Sequence, residues 1–213
     1  MTVIIINPNS TESMTAAMVP VAEAAAPALE FQGWTSHAGP PAIQGAEDGA
    51  AAAPHLLDLV KKADQSGAEG VIVGCFDDTA LTDATAQSSC PVVGIGQAGM
   101  HLCALRQWRF SVVTTLAVSV PVIEENVHHY GLTAHLGRVR ASDIPVLALE
   151  EDPDAAIQTI IDEARLAVAE DGAQSIILGC AGMATLTSRV RSAVPVPIID
   201  PVEAAAKSML WLT

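Results

Sequence analysis

The chain has 213 residues, half of them hydrophobic, 3% aromatic and 16% charged, with 10 Lys plus Arg against 24 Asp plus Glu for a formal net charge of −14. That balance excludes an intrinsically disordered chain and a phosphate-backbone binder, which needs clustered cations, and so few aromatics exclude stacking platforms for single-stranded nucleic acid. No apolar run reaches the ~18 residues of a membrane span and Met1–Asn7 lacks the basic start of a secretory leader, so the expected compartment is the cytoplasm, with the cysteines as thiols.

Val3–Ile6 is a continuous apolar run, as expected of a strand buried on both faces. It ends at Asn7-Pro8-Asn9-Ser10, where Ser10 or Thr11 can cap a helix running towards Ala26, with Pro20 as an irregularity inside it. The Ala-rich part of that helix, Ala22–Ala28, reads as core or subunit interface. Leu29–Thr35 reads as a second strand, and a Gly/Pro-rich loop follows from His37 to Gly49. Pro54–Gln65 is amphipathic, with Leu56, Leu57, Leu59 and Val60 on or near one face. Gly70–Gly74 and Pro91–Ile95 read as strands. The rhythm then repeats: strand Phe110–Thr114, helix Val118–Tyr130, strand Thr133–Val139, helix Asp154–Ala169, strands Ser175–Leu178 and Pro197–Ile199, and a last helix from near Pro201. The acidic Glu150-Glu151-Asp152 reads as a solvated loop. Strands alternating with helices predict an α/β chain with parallel sheets covered on both faces.

The chain also repeats itself. Gly67-Ala68-Glu69-Gly70-Val71-Ile72-Val73-Gly74-Cys75 matches Gly172-Ala173-Gln174-Ser175-Ile176-Ile177-Leu178-Gly179-Cys180 about half a chain later, and Pro91-Val92-Val93-Gly94 echoes Pro197-Ile198-Ile199-Asp200. Two similar lobes are expected: residues 1–97 with 201–213, and residues 98–200. Each carries one Gly-Cys at the carboxyl end of a central strand, where open α/β sheets bind their ligands.

That placement matters chemically. Backbone N–H groups and a following helix can favour a thiolate there. If the lobes face each other across a pseudo-twofold, Cys75 and Cys180 meet one cleft from opposite sides. One thiolate can take a proton from a stereogenic carbon while the other thiol returns one to the opposite face, which is what a racemase requires. A single buried cysteine is ordinarily a small hydrophobe, and Cys90 and Cys103 read that way. The repeated position sets the other two apart.

Ile-Asn-Pro-Asn-Ser at 6–10, Gly-Cys-Phe-Asp-Asp at 74–78, Pro-Val-Val-Gly-Ile at 91–95, Phe-Ser-Val-Val-Thr-Thr at 110–115 and Leu-Gly-Cys-Ala-Gly-Met at 178–183 run in order along the whole chain. Together they resemble the hydantoin racemase branch of the aspartate/glutamate racemase superfamily. The resemblance implies two flavodoxin-like lobes, a homo-oligomer, and cofactor-independent racemisation of 5-substituted hydantoins or allantoin-like ureides, with Cys75 and Cys180 as the two bases. Amino-acid racemases of the superfamily follow the cysteine with Thr or Asn-Thr to hold a carboxylate. Phe76 and Ala181 stand there instead, which favours a ring without a free carboxylate. Arylmalonate decarboxylases keep one cysteine of the two; a decarboxylase or a maleate isomerase of the same fold is the alternative reading, and a non-catalytic binding protein a third.

A racemase of this kind stabilises an enolate-like carbanion. The candidates for that work are the backbone amides around Phe76–Asp77 and Ala181–Gly182 and the hydroxyls of Thr114 and Thr115. Asn7 is expected to hydrogen-bond a ring amide, and Ile43 to cover the substrate side chain. Turn formation and helix capping are the ordinary uses of Asn and Thr, and a solvated connector that of the loop around Ile43.

Rival motifs carry less. Gly94-Ile95-Gly96-Gln97-Ala98-Gly99 is a G-x-G-x-x-G after a strand, but the next strand ends at Thr114-Thr115 with no acid to hold a ribose. The six histidines show no metal-ligand spacing, and His128-His129 are adjacent on a helix and diverge. Asn9-Ser10-Thr11 matches a glycosylation sequon that a cytoplasmic chain does not use. Asp77-Asp78 reads either as support for the site or as a helix cap.

Overall fold

A computed structural model describes residues 1–213, Glu150 by its backbone alone. The first half runs β1 (Thr2–Asn7), α1 (Glu12–Ala25), β2 (Glu30–Thr35), α2 (Ala46–Gln65), β3 (Gly70–Val73), α3 (Leu81–Gln87), β4 (Val92–Gly94) and α4 (Ile95–Leu105). The second runs β5 (Phe110–Thr114), α5 (Val120–His129), β6 (Leu136–Ala141), α6 (Ala148–Glu151), α7 (Pro153–Glu170), β7 (Ser175–Gly179), α8 (Thr187–Ala193), β8 (Ile198–Ile199) and α9 (Pro201–Leu212). The strands form two wholly parallel sheets, β2-β1-β3-β4 and β6-β5-β7-β8, so the second half repeats the first strand for strand. The apolar runs occupy the two central positions of each sheet, where both faces are covered.

Three apolar layers follow. Leu56 and Val60 of α2 close over Ile4, Ile6, Val71 and Val73 on one side of the first sheet. Ile157, Ile160 and Ala164 of α7 close over Val113, Ile176 and Leu178 of the second. Between the sheets α4 and α9 share one continuous core, in which Ile72 and Val93 of one sheet and Phe110, Val112 and Ile177 of the other join Ile95, Met100, Val202 and Met209. Gly99 lets α4 lie close to the second sheet, because a β-carbon there would already touch Ile177 Cγ2 at 3.2 Å. Ala22 and Ala26 are fully buried in this same layer.

Several boundaries differ from the pattern in the sequence. Helix α2 starts at Ala46, so the second part of the expected 37–49 loop is helical and Pro54 lies within the helix. Pro54 and Pro20 both face solvent, where water can satisfy the carbonyl that a proline leaves unpaired. Thr133–His135 forms a 3₁₀ turn, and the strand there is Leu136–Ala141. It includes a buried Arg140, held by Asp171 at 2.7 Å and Glu170 at 2.7 Å; a run ending in Arg does not look like a strand until those partners are known. In the expected acidic loop, Glu151 ends α6 and the Asp152 side chain caps α7 by accepting from Ala155 N at 3.0 Å, while the Glu150 side chain lies outside the described residues. Among the described residues no helix is long and apolar enough to cross a membrane.

Candidate active site

Both Gly-Cys pairs leave a central strand at its carboxyl end. Gly74 still belongs to the ladder, its N–H donating to Ile6 O at 2.8 Å, and Cys75 is the first residue beyond it. Cys180 follows β7 and opens a 3₁₀ stretch, Ala181–Leu186. The two cysteines line one small cavity, together with Asn9, Met14, Ile43, Phe76, Asp77, Thr114, Thr115, Ser119, Val146, Ala181 and Gly182. The ionisable groups of this lining are Cys75, Asp77 and Cys180 among the described residues.

The loop after Cys75 is tied down from three directions. Asp78 adopts a left-handed φ of 48°, a conformation Asp tolerates, and its carboxylate turns inward. It accepts from the N–H groups of Gly96 at 3.0 Å and Gln97 at 2.6 Å, at the start of α4, and from the Tyr130 hydroxyl at 2.8 Å. Asp78 thus caps a helix from outside that helix's own chain segment. Burial pushes its acid up to about 7 even though these donors and the helix N-terminus favour the charge. From α5, Asn126 Nδ2 donates to the Asp77 carbonyl at 2.8 Å. The G-x-G-x-x-G segment is explained by the same contact: a β-carbon on Gly94 would collide with the Asp78 carboxylate, and one on Gly96 with the Phe76 carbonyl.

Cys75 receives a weak hydrogen bond from Thr79 Oγ1 at 3.6 Å. Burial first, then the neighbouring Asp77 carboxylate, and weakly Cys180, hold its thiol well above the ordinary range. Asp77 itself is pushed up to about 7 by burial, opposed by the Gly45 N–H that donates to its carboxylate. Its Oδ2 is buried without a hydrogen-bond partner.

The expected site residues fall as follows. Cys75, Cys180, Ile43, Phe76, Asp77, Thr114, Thr115, Ala181 and Gly182 all line the cavity. Asn7 does not. It is fully buried, its Nδ2 donating to Asn9 Oδ1 at 2.9 Å, Thr11 O at 3.0 Å and Thr15 Oγ1 at 3.1 Å, so its amide organises the 7–11 loop and leaves nothing for a ring. Asn9, two residues on, is the amide that reaches the lining. The helix cap expected of Ser10 or Thr11 is not made by either hydroxyl: Thr11 occupies the cap position, but its Oγ1 donates to Pro41 O at 2.7 Å. Thr114 Oγ1 donates to Gly179 O at 3.1 Å, so that hydroxyl proton is engaged in joining two strand ends. The amides of Ala181 and Gly182 begin a helical turn, where N–H groups lack partners within the turn. Met14, Ser119 and Val146 were not indicated by sequence, since each is brought in from a different element.

The other cysteines lie apart. Cys103 is fully buried, takes a hydrogen bond from Ser175 Oγ at 3.4 Å, and is pushed up to about 11 by burial. Cys90 contacts Ser88 Oγ at 3.4 Å. Among the described residues no disulfide forms and no group of three or more His, Cys, Asp or Glu could hold a metal ion.

Comparison with known proteins adds independent findings. The family model described as Asp/Glu/Hydantoin racemase matches residues 3–209. A hydantoin racemase of Rhizobium meliloti is 43% identical over 210 residues, which cover 95% of this chain and 85% of that protein. An allantoin racemase structure from Pseudomonas fluorescens superposes with a TM-score of 0.95 at 36% identity, covering 100% of this chain and 90% of the other. One from Klebsiella pneumoniae gives 0.94 at 36% identity, covering 100% and 87%.

Proposed function

We propose, from the premise that this chain belongs to the Asp/Glu/hydantoin racemase family, that it racemises hydantoin-type rings, 5-substituted hydantoins or allantoin, by two-thiol proton transfer without a cofactor. The observation that carries this reading is the pair Cys75 and Cys180, at equivalent strand ends of the two halves and lining one cavity. In one direction the Cys75 thiolate removes the proton from the stereogenic carbon. The C–H bond breaks, an S–H bond forms, and the electron pair moves into the ring as an enolate. The Cys180 thiol then gives its proton to the opposite face, its S–H bond breaking as the new C–H bond forms. The opposite enantiomer runs the same path backwards and restores the starting protonation.

The lining supports a neutral ring over an amino acid. It contains no cation among the described residues, so a free carboxylate would find no counter-charge. Apolar Met14, Ile43, Phe76 and Val146 surround the polar groups, which suits a ring with one substituent. In this reading the Ala181 and Gly182 amides, at the start of a helical turn, receive the negative charge that develops on the ring oxygen. The same reading carries the expectation of a cytoplasmic homo-oligomer whose two lobes are residues 1–97 with 201–213 and residues 98–200.

The test is polarimetry of single enantiomers of allantoin and of aliphatic and aromatic 5-substituted hydantoins in deuterated water. Optical rotation should decay to zero with deuterium entering the stereogenic carbon. Cys75→Ser or Cys180→Ser should slow racemisation at least about a hundredfold. Full activity in either variant, or racemisation without deuterium, would exclude the mechanism. Aspartate and aryl malonates serve as the controls that would reveal an amino-acid racemase or a decarboxylase instead.

A further inference from the structure

The Asp77 carboxyl has a position without a partner. Its Oδ2 is buried and makes no hydrogen bond, although the residue lines the cavity two positions after Cys75. The rest of the residue is engaged: Asn126 Nδ2 holds its carbonyl at 2.8 Å, and the Gly45 N–H donates to the carboxyl. A buried polar atom left unsatisfied costs free energy that only a partner in the cavity can recover. The residue that follows Cys180 at the equivalent distance is Gly182, so the second half offers no matching side chain.

Resting on the function proposed above, we infer that Asp77 is a catalytic residue that works as a neutral acid, its Oδ2 hydroxyl donating a hydrogen bond to the substrate carbonyl oxygen beside the reacting carbon. That oxygen is where charge accumulates when the proton leaves, so the bond strengthens in the transition state. The surroundings keep the acid neutral. The titratable groups facing it are Cys75 and, less directly, Cys180 and Asp78, the last bonded to Tyr130, and no Lys or Arg stands against it among the described residues. Burial accordingly holds its acid near 7. Neutrality also serves Cys75, since an ionised Asp77 opposes the thiolate. A carboxylic acid kept neutral to donate to an enolate is an established device of other enzymes.

The sign of the pH effect follows. Raising the pH through about 7 ionises Asp77, removes the donor and adds a negative charge beside Cys75. With the Cys75 thiol held well above that range, activity should rise with pH as the thiolate fraction grows and level off above about 7, where ionisation of Asp77 removes the donor as fast as the thiolate gains. The experiment measures kcat and kcat/KM for racemisation between pH 5.5 and 9 in the wild type, Asp77→Asn and Asp77→Ala. Asp77→Asn keeps a donor that cannot ionise, so it should retain activity within about tenfold at pH 6.5 and keep rising above pH 7. Asp77→Ala should lower kcat about a hundredfold with a smaller change in KM. A wild-type profile that keeps climbing through pH 8, or an Ala variant with unchanged kcat, overturns the assignment and leaves the racemase reading standing. An Asn variant as poor as Ala, with wild-type activity climbing through pH 7, identifies an ionised acceptor for a substrate N–H and also overturns it. A wild-type chain inert on every ring overturns the functional reading, and this assignment with it.

Discussion

At the start of α4 a carboxylate of the same chain sits where a phosphate would sit in a dinucleotide site. Asp78 takes the N–H groups of Gly96 and Gln97, and the glycines exist to let it in. The prediction that belongs here concerns Gly96→Ala. Its β-carbon would press on the Phe76 carbonyl and the Asp78 carboxylate, so the Cys75 loop must move. Stability should fall by about 1–3 kcal/mol, and racemisation should fall with it. Gly99→Ala, whose β-carbon meets only Ile177 Cγ2 at 3.2 Å, is the milder control. Urea denaturation of both variants at one pH checks the order. A Gly96→Ala protein as stable as Gly99→Ala would remove the close-approach explanation. The paired placement of Cys75 and Cys180 was legible because a strand and the Gly-Cys that ends it are contiguous in sequence. The role of Asp78 was not, because its helix begins only after two intervening elements, α3 and β4. That Asn9 and not Asn7 reaches the lining was hidden for a related reason: which of two asparagines in a tight turn faces inward depends on Thr15, on the next helix.

Among the elements, strands were easier to read than the segments that cover the cavity. Strand alternation and apolar runs are local signals. Helix α2 begins eight residues before Pro54 because Ala46–Ala53 can be helical despite Gly49, and a proline reads as a start when only its own constraint is considered. That early start matters, since it fixes Gly45, at φ 97°, and the 36–45 segment against the second half of the chain. Gln44 Oε1 accepts from Val146 N at 3.1 Å, and Met14, Ala42 and Val146 form a small buried cluster over Cys180. These contacts join two loops from opposite lobes across the cavity, and no sequence pattern links residues so distant. Gln44→Ala should leave kcat within about twofold and raise KM roughly two- to tenfold, the range expected from losing one hydrogen bond of about 0.5–1.5 kcal/mol. Steady-state kinetics on the preferred ring would show it. An unchanged KM would mean the two loops close independently.

The molecule as a whole is symmetric in its strands and asymmetric in its supports. Both sheets share one strand order, yet Asp78 reaches α4 from a neighbouring loop whereas Asp200 caps α9 from its own N-cap, accepting from Val202 N at 2.9 Å and from Thr187 Oγ1 at 2.7 Å. The first half also leans on the second: Asn126 of α5 and Tyr130 just after that helix hold the carbonyl of Asp77 and the carboxylate of Asp78, and so the loop behind Cys75. An interlobe contact of this kind should act on one face of the substrate and not the other. In the single-cysteine variants each remaining thiol should exchange the stereogenic hydrogen of one enantiomer only. Adding Asn126→Ala to Cys180→Ser, which leaves Cys75 working, should slow that exchange about tenfold or more, because a small misplacement of a reacting group is costly. The same change in Cys75→Ser, which leaves Cys180 working, should alter exchange less than twofold. Deuterium uptake into each pure enantiomer, followed by mass spectrometry, measures both rates. Equal losses in the two backgrounds would show that Asn126 supports the fold at large, whereas the unequal result ties the reach of one lobe into the other to a single face of the reaction.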